Sequence, residues 1–224
     1  VITAAFVFGF IYIYDYVKSS VSLHGKPLDL IFLNAPEWRN QKLMDKMYKA
    51  ASEGLLLVSS PDAAEKVYAN LARTSWVHNV KVQTTDKAVL VSAEWRKPVA
   101  RVAVRGSEYF IDKYMYVMDV VEIANLPLIN VTGVSSSSMP AAGEHWCAED
   151  LNAAVTLICA LESMDRELKL EKPLLEEIES VDVSNFQGRK KSSGPHIILK
   201  AIDGTEIIWG AQIGKWHRYM EAAD

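Results

Sequence analysis

The stretch Ala93-Glu94-Trp95-Arg96-Lys97-Pro98-Val99-Ala100 ends one hydrophobic pattern and begins another. Upstream, Val89, Val91, Ala93 and Trp95 alternate with Leu90, Ser92 and Glu94, the period of a half-buried strand. Pro98 has no N–H to offer a ladder, so pairing lapses or moves to an edge there. Val99 to Val104 then reads as a fresh strand. Two strands joined through a proline, with no linker between them, mark a domain junction at Glu94, Arg96 and Pro98. Arg96 and Lys97 are expected at the surface beside it.

Working back from the junction, Val80 and Val82 begin a strand that turns at Thr84 to Lys87. Before it, Leu43, Met44, Met47, Tyr48 and Ala51 share one helical face. Ser60-Pro61 reads as a helix start, with serine at the cap and proline at the first helical position. Ala64, Val67, Tyr68 and Leu71 make the stripe of that second helix. With an apolar strand at Leu28 to Leu33, residues 26–96 read β-α-α-β-β.

Working forward, residues 97–224 read as β-rich with one main helix at about 148–167. Strands are expected near Val99–Val104, Tyr109–Ile111, Tyr116–Val120, Ile178–Val183 and His196–Ile202. Asp203-Gly204 is a two-residue hairpin signal leading into Thr205–Trp209. Lys215 to Ala223 looks like a terminal helix, and Ser135 to Gly143 is a Ser/Pro/Gly loop. The fold class is therefore α+β.

The first fourteen residues, Val1 to Tyr14, carry no charge. As a helix they rise about 21 Å, short of the roughly 30 Å hydrocarbon core. Tyr12, Tyr14 and Tyr16 stand where an aromatic belt would lie, so residues 1–20 read as part of a transmembrane helix. A net charge of -4 without a long basic block argues against nucleic acid as a partner. Arg189-Lys190-Lys191 reads as a solvated loop. If the helix starts near Cys147, Cys147 and Cys159 cannot pair, since twelve residues span about 18 Å and a disulfide needs Cα atoms within about 7 Å, so buried free thiols are expected.

Familiar catalytic patterns are missing: no Gly-x-Ser-x-Gly, no phosphate-cradling glycine loop, no Cys-x-x-Cys and no His-Glu-x-x-His. His145, Cys147 and Glu149 are the one group that a metal could gather. A closed zinc site needs four ligands, and acids in a helix's first turn are favoured by the dipole alone. The expectation is therefore no metal, no cofactor, no small-molecule substrate and no catalytic residue.

The order of several short motifs resembles one family. Trp76-Val77-His78-Asn79-Val80-Lys81-Val82 is followed by Glu94-Trp95-Arg96-Lys97-Pro98-Val99-Ala100 and Tyr109-Phe110-Ile111-Asp112. Leu126-Pro127-Leu128-Ile129, Thr132-Gly133-Val134 and Ile202-Asp203-Gly204-Thr205-Glu206-Ile207-Ile208-Trp209-Gly210 complete the series. Together they resemble the bacterial cell-division family FtsQ/DivIB, a POTRA domain followed by a β domain, over nearly everything from residue 28 onward.

The resemblance implies a non-enzymatic scaffold of the septum that crosses the cytoplasmic membrane once, with its bulk outside the cytoplasm. It implies recruitment of FtsB- and FtsL-like (DivIC-like) division proteins. A late hairpin can leave an open edge that accepts a partner strand. Thr205, Glu206, Ile207, Ile208, Trp209 and Trp216 are the candidate contact residues, with the two tryptophans as aromatic anchors or, equally, as core. A pilin-like filament subunit is the alternative, but Ala5 stands where such helices carry an early Glu. A POTRA-type transport or chaperone module would show tandem repeats or a barrel, and the sequence has neither.

Overall fold

The computed structural model describes residues 25–123, 126–135, 139–169 and 171–209. The expected anchor at 1–20, Trp216 and the expected helix at Lys215–Ala223 lie outside the described residues. Among the described residues no helix is long and apolar enough to cross a membrane. The chain divides into two compact units between Trp95 and Arg96. Both mix helices and strands, giving two sheets and four helices among the described residues.

The first unit runs β1 (Asp29–Phe32), α1 (Gln41–Ser52), α2 (Ala63–Ala72), β2 (Val77–Thr84) and β3 (Ala88–Trp95). Its sheet has the order β1-β3-β2, with β1 parallel and β2 antiparallel to the central strand. Beyond the end of β1, the Asn34 side chain continues the ladder. It donates to the Ala93 carbonyl at 2.7 Å and accepts the Ala93 N–H at 3.1 Å. Leu43, Met44, Met47 and Ala51 of α1, Val67 and Leu71 of α2, and Trp76 are buried in this unit, as are Val89, Val91 and Ala93 of β3. Each large side chain removed from water stabilises the unit by about 1.5–3 kcal/mol.

Local chemistry sets the helix ends. Asn40 caps α1 by accepting the Leu43 N–H at 2.9 Å, leaving one fewer orphan donor. The second helix starts later than Ser60-Pro61 implies. The Ala63 N–H bonds the Ser60 carbonyl, so residues 60–63 form a turn and Asp62 becomes the cap. The Lys66 ammonium, 2.7 Å away, and the Ser60 hydroxyl hold the Asp62 carboxyl down at about 2. Val67 and Leu71 are buried as expected, Ala63 rather than Ala64 completes the stripe, and Tyr68 is half exposed.

The second unit contains β4 (Pro98–Val104), β5 (Ser107–Asp112), β6 (Val117–Asp119) and β7 (Ile129–Thr132). There follow α3 (Glu149–Leu168), α4 (Leu174–Glu177), β8 (Ile178–Asp182), β9 (Ile198–Ala201) and β10 (Glu206–Ile208). The sheet order is β10-β9-β8-β7-β4-β5-β6. β4, β7 and β8 are mutually parallel, the rest antiparallel. A parallel pair needs a crossover, and α3 supplies it between β7 and β8. Leu151, Ala154, Val155, Ile158 and Leu161 of α3 pack on Val102, Val131, Val181 and Leu199 of the sheet.

Pro98 opens β4 and is buried. It is matched with Asp112 of β5 just before a register shift, and pairing of β4 to β7 begins only at Ala100. A proline at the first position of a strand thus costs no ladder bond. The late hairpin differs from the two-residue turn read from Asp203-Gly204. Ala201 and Thr205 face each other, leaving Ile202, Asp203 and Gly204 as a three-residue loop. Gly204 has φ +85 and its N–H bonds the Ala201 carbonyl, the geometry of a turn closed by a left-handed glycine.

Candidate partner-binding edge

A seven-stranded open sheet has two edge strands, and an unpaired edge is a template for another chain. The start of the β6 edge is covered by the chain itself. Val117 donates to the Glu144 carbonyl at 2.9 Å and accepts from the Gly143 N–H at 2.7 Å. Trp146 donates to the Met115 carbonyl at 2.8 Å, and Tyr116 and His145 form a bridge.

The β10 edge has no such cover among the described residues. On its inner side, Thr205 accepts from Ala201 and Trp209 donates to Ile197, at 2.9 and 3.0 Å. Antiparallel strands alternate bonded and non-bonded pairs. Thr205, Ile207 and Trp209 therefore turn their backbone groups to β9, and Glu206 and Ile208 turn theirs to the outside. Ile202, Ile207 and Ile208 are 66%, 41% and 70% exposed. The strand carries one charge, Glu206, and it sits 3.7 Å from Lys200 of the neighbouring strand. Natural edges are usually blunted by lysine, proline or a bulge, and β10 has none of these.

The turn that presents this edge is tied by Asp203, whose Oδ1 accepts the Thr205 N–H at 2.9 Å. That bond holds the Asp203 carboxyl below its ordinary range. Trp209 is half-buried and packed against the core, so packing is its visible role.

Glu94, in the first unit, accepts from the Asn79 amide at 2.9 Å. Arg96 corrects the expectation of a surface residue. Its side chain is 11% exposed, ion-paired to Asp112 at 3.1 Å and stacked 3.8 Å over the Tyr116 ring. A cation this close to a buried carboxylate is held inside because the carboxylate needs it. Lys97, half exposed, reaches Glu162 at 2.7 Å.

His145 Nδ1 lies 3.2 Å from Cys147 Sγ, but Glu149 turns away to accept from Gln187 at 2.9 Å. Among the described residues no three such ligands converge. Arg189, expected in a solvated loop, is instead a structural residue. It donates to Asp150 at 2.6 Å and to the Gly133 and Val183 carbonyls at 2.9 and 2.7 Å. Asp150, 4% exposed, also accepts the Ser135 and Leu151 N–H groups. A cleft of about 350 Å³ opens beside this pair, between Trp146, Cys147, Glu149, Gln187 and Arg189. Cys159 is half-buried, and desolvation raises its thiol pKa.

Pattern reading missed Asp112 and Asp150 as buried anchors, because an acid after a strand and an acid in a first helical turn both look solvated. No family model matches the chain and no curated protein matches its sequence.

Proposed function

We propose that the chain is a non-enzymatic, single-pass membrane scaffold of the FtsQ/DivIB type, which recruits division partners to the septum. Residues 1–20 anchor it in the cytoplasmic membrane, the first unit serves as the POTRA domain and the second as the β domain. The partner is an FtsB- or FtsL-like (DivIC-like) protein, docking as an added strand on β10.

The single observation that carries this reading is the contrast between the two ends of the larger sheet. One edge strand, β6, has the outward N–H and C=O of its first residue, Val117, taken by Glu144 and Gly143. The other presents Glu206 and Ile208 outward, beside three exposed isoleucines on the hairpin. Main-chain bonds along such an edge supply affinity, and side-chain pockets supply choice of partner. The β-α-α-β-β order and the parallel β1–β3 pair are the further support, at the level of fold.

The test uses the full chain in detergent with its FtsB/FtsL-like partner from the same cells. Glu206→Pro removes an outward N–H without touching a backbone bond to β9, and beyond that only the exposed 3.7 Å contact with Lys200. It is expected to abolish co-purification while thermal unfolding stays within a degree or two of the wild type. Co-purification at wild-type yield rules out strand addition at β10.

A further inference from the structure

We propose that the Leu55–Leu56 loop of the first unit dips into the lipid surface of the membrane that holds the chain. This inference rests on the reading of residues 1–20 as an anchor. It adds a second, shallower point of membrane contact on the folded unit itself.

Leu55 and Leu56 are 72% and 74% exposed, the two most exposed large apolar side chains among the described residues. A scattered exposed leucine needs no explanation, but two adjacent ones at a loop tip have no packing role. Their position is set by the fold. Two residues later Val58 bridges Pro27, and Leu57 accepts from Leu28 at 2.8 Å. Gly25 donates to Ser59 at 3.0 Å, and Ser59 to Lys26 at 2.7 Å. The loop is thus fastened to the segment through which the chain arrives from its uncharged run.

The occupant follows from that fastening. Four residues, 21–24, separate an anchor at 1–20 from Gly25, and four residues reach at most about 14 Å. An anchor at 1–20 therefore keeps this end of the unit within reach of a bilayer. The β2–β3 turn stands at the same end, since Asp29 is paired with Ala88 and donates to Lys87 at 3.0 Å. Lys26, Lys49, Lys66 and Lys87 are there balanced by Asp29, Glu53, Asp62 and Asp86. With charges balanced, leucine burial and not attraction to anionic headgroups has to carry the contact. It should then be indifferent to salt.

The test is a fluorescent label (NBD) at Leu56→Cys, in a full chain carrying Cys147→Ser and Cys159→Ser. A matched label at Arg39→Cys, before the opposite end of α1, is the control. Both go into vesicles of phosphatidylethanolamine and phosphatidylglycerol containing lipids spin-labelled near the headgroup. The expected result is a blue shift and several-fold stronger quenching at position 56 than at 39, unchanged in high salt. A third label at Glu53→Cys should lose its quenching when Leu55 and Leu56 are both changed to Asp. Equal quenching at 56 and 39, with the chain still in the vesicle pellet after a high-salt wash, overturns the loop contact and leaves the anchor standing. Self-quenching at position 56 that vanishes on dilution with unlabelled chain assigns the loop to a second copy, and also overturns it. A chain that washes off the vesicles removes the anchor, and the proposal with it.

Discussion

Arg96 and Asp112 meet at 3.1 Å with side chains 11% and 3% exposed, and the other Asp112 oxygen accepts the N–H groups of Tyr114 and Tyr116 at 2.9 and 2.8 Å. The first residue of the second unit is thereby tied to the end of β5. Arg96→Met leaves a buried carboxylate without its cation, at a cost of about 3–5 kcal/mol. Urea unfolding of the full chain in detergent measures it. A loss under about 1 kcal/mol, the value of a surface pair, would show the pair to be solvated.

Gly133 is required twice over. Its φ is +75, and an added Cβ would stand 2.4 Å from the Ser184 Cβ. Gly204 has φ +85 but open space around it. Gly204→Ala should cost only the left-handed penalty, about 1–2 kcal/mol. Gly133→Ala should cost clearly more, because the clash is with backbone as well as side chain. Equal losses for the two in parallel unfolding curves would mean that the β7 end moves freely from Ser184.

Ile208 and Trp209 are neighbours with different expected roles. Ile208 is 70% exposed at the edge, whereas Trp209 packs on the core. Ile208→Asp should leave stability within about 0.5 kcal/mol and weaken partner binding by about 2 kcal/mol or more. Trp209→Ala should instead lower stability, near the lower end of the roughly 3–5 kcal/mol of a core tryptophan. Calorimetry of both variants, with titration of partner, separates them. The reverse assignment would move the anchor to Trp209.

The hairpin should loosen in acid. The Thr205 N–H lowers the Asp203 pKa, so the folded hairpin prefers the ionised form. A carboxyl with a depressed folded pKa adds stability above its unfolded pKa and loses it as pH falls through the folded value. The window therefore lies below about pH 4. Hydrogen exchange at the Thr205 amide should accelerate there, beyond the intrinsic rate change. In Asp203→Asn, which keeps an acceptor but cannot titrate, that acceleration should vanish. If both respond alike, the Asp203 charge does not hold the turn.

Much of the local architecture was legible in pattern alone. Alternation at Val89 to Trp95 and helical spacing at Leu43 to Ala51 fall on β3 and α1, because each records a face that must be buried. The candidate edge was legible as a hairpin, though its loop is one residue longer than Asp203-Gly204 suggests: pattern does not show which residues exchange bonds.

What the sequence by itself determined is where the chain is helical, where it is extended and where it turns, since these follow from side-chain period and from the geometry of glycine and proline. Only the tertiary structure decided the partners. It placed β7 between β4 and β8, made Arg96 and Arg189 structural through Asp112 and Asp150, and covered the start of the β6 edge with residues 143–146. The same arrangement set β10 at the other end of the sheet. Each of these depends on contacts between residues distant in the chain. A charge looks the same in sequence whether it is solvated or paired across such a contact.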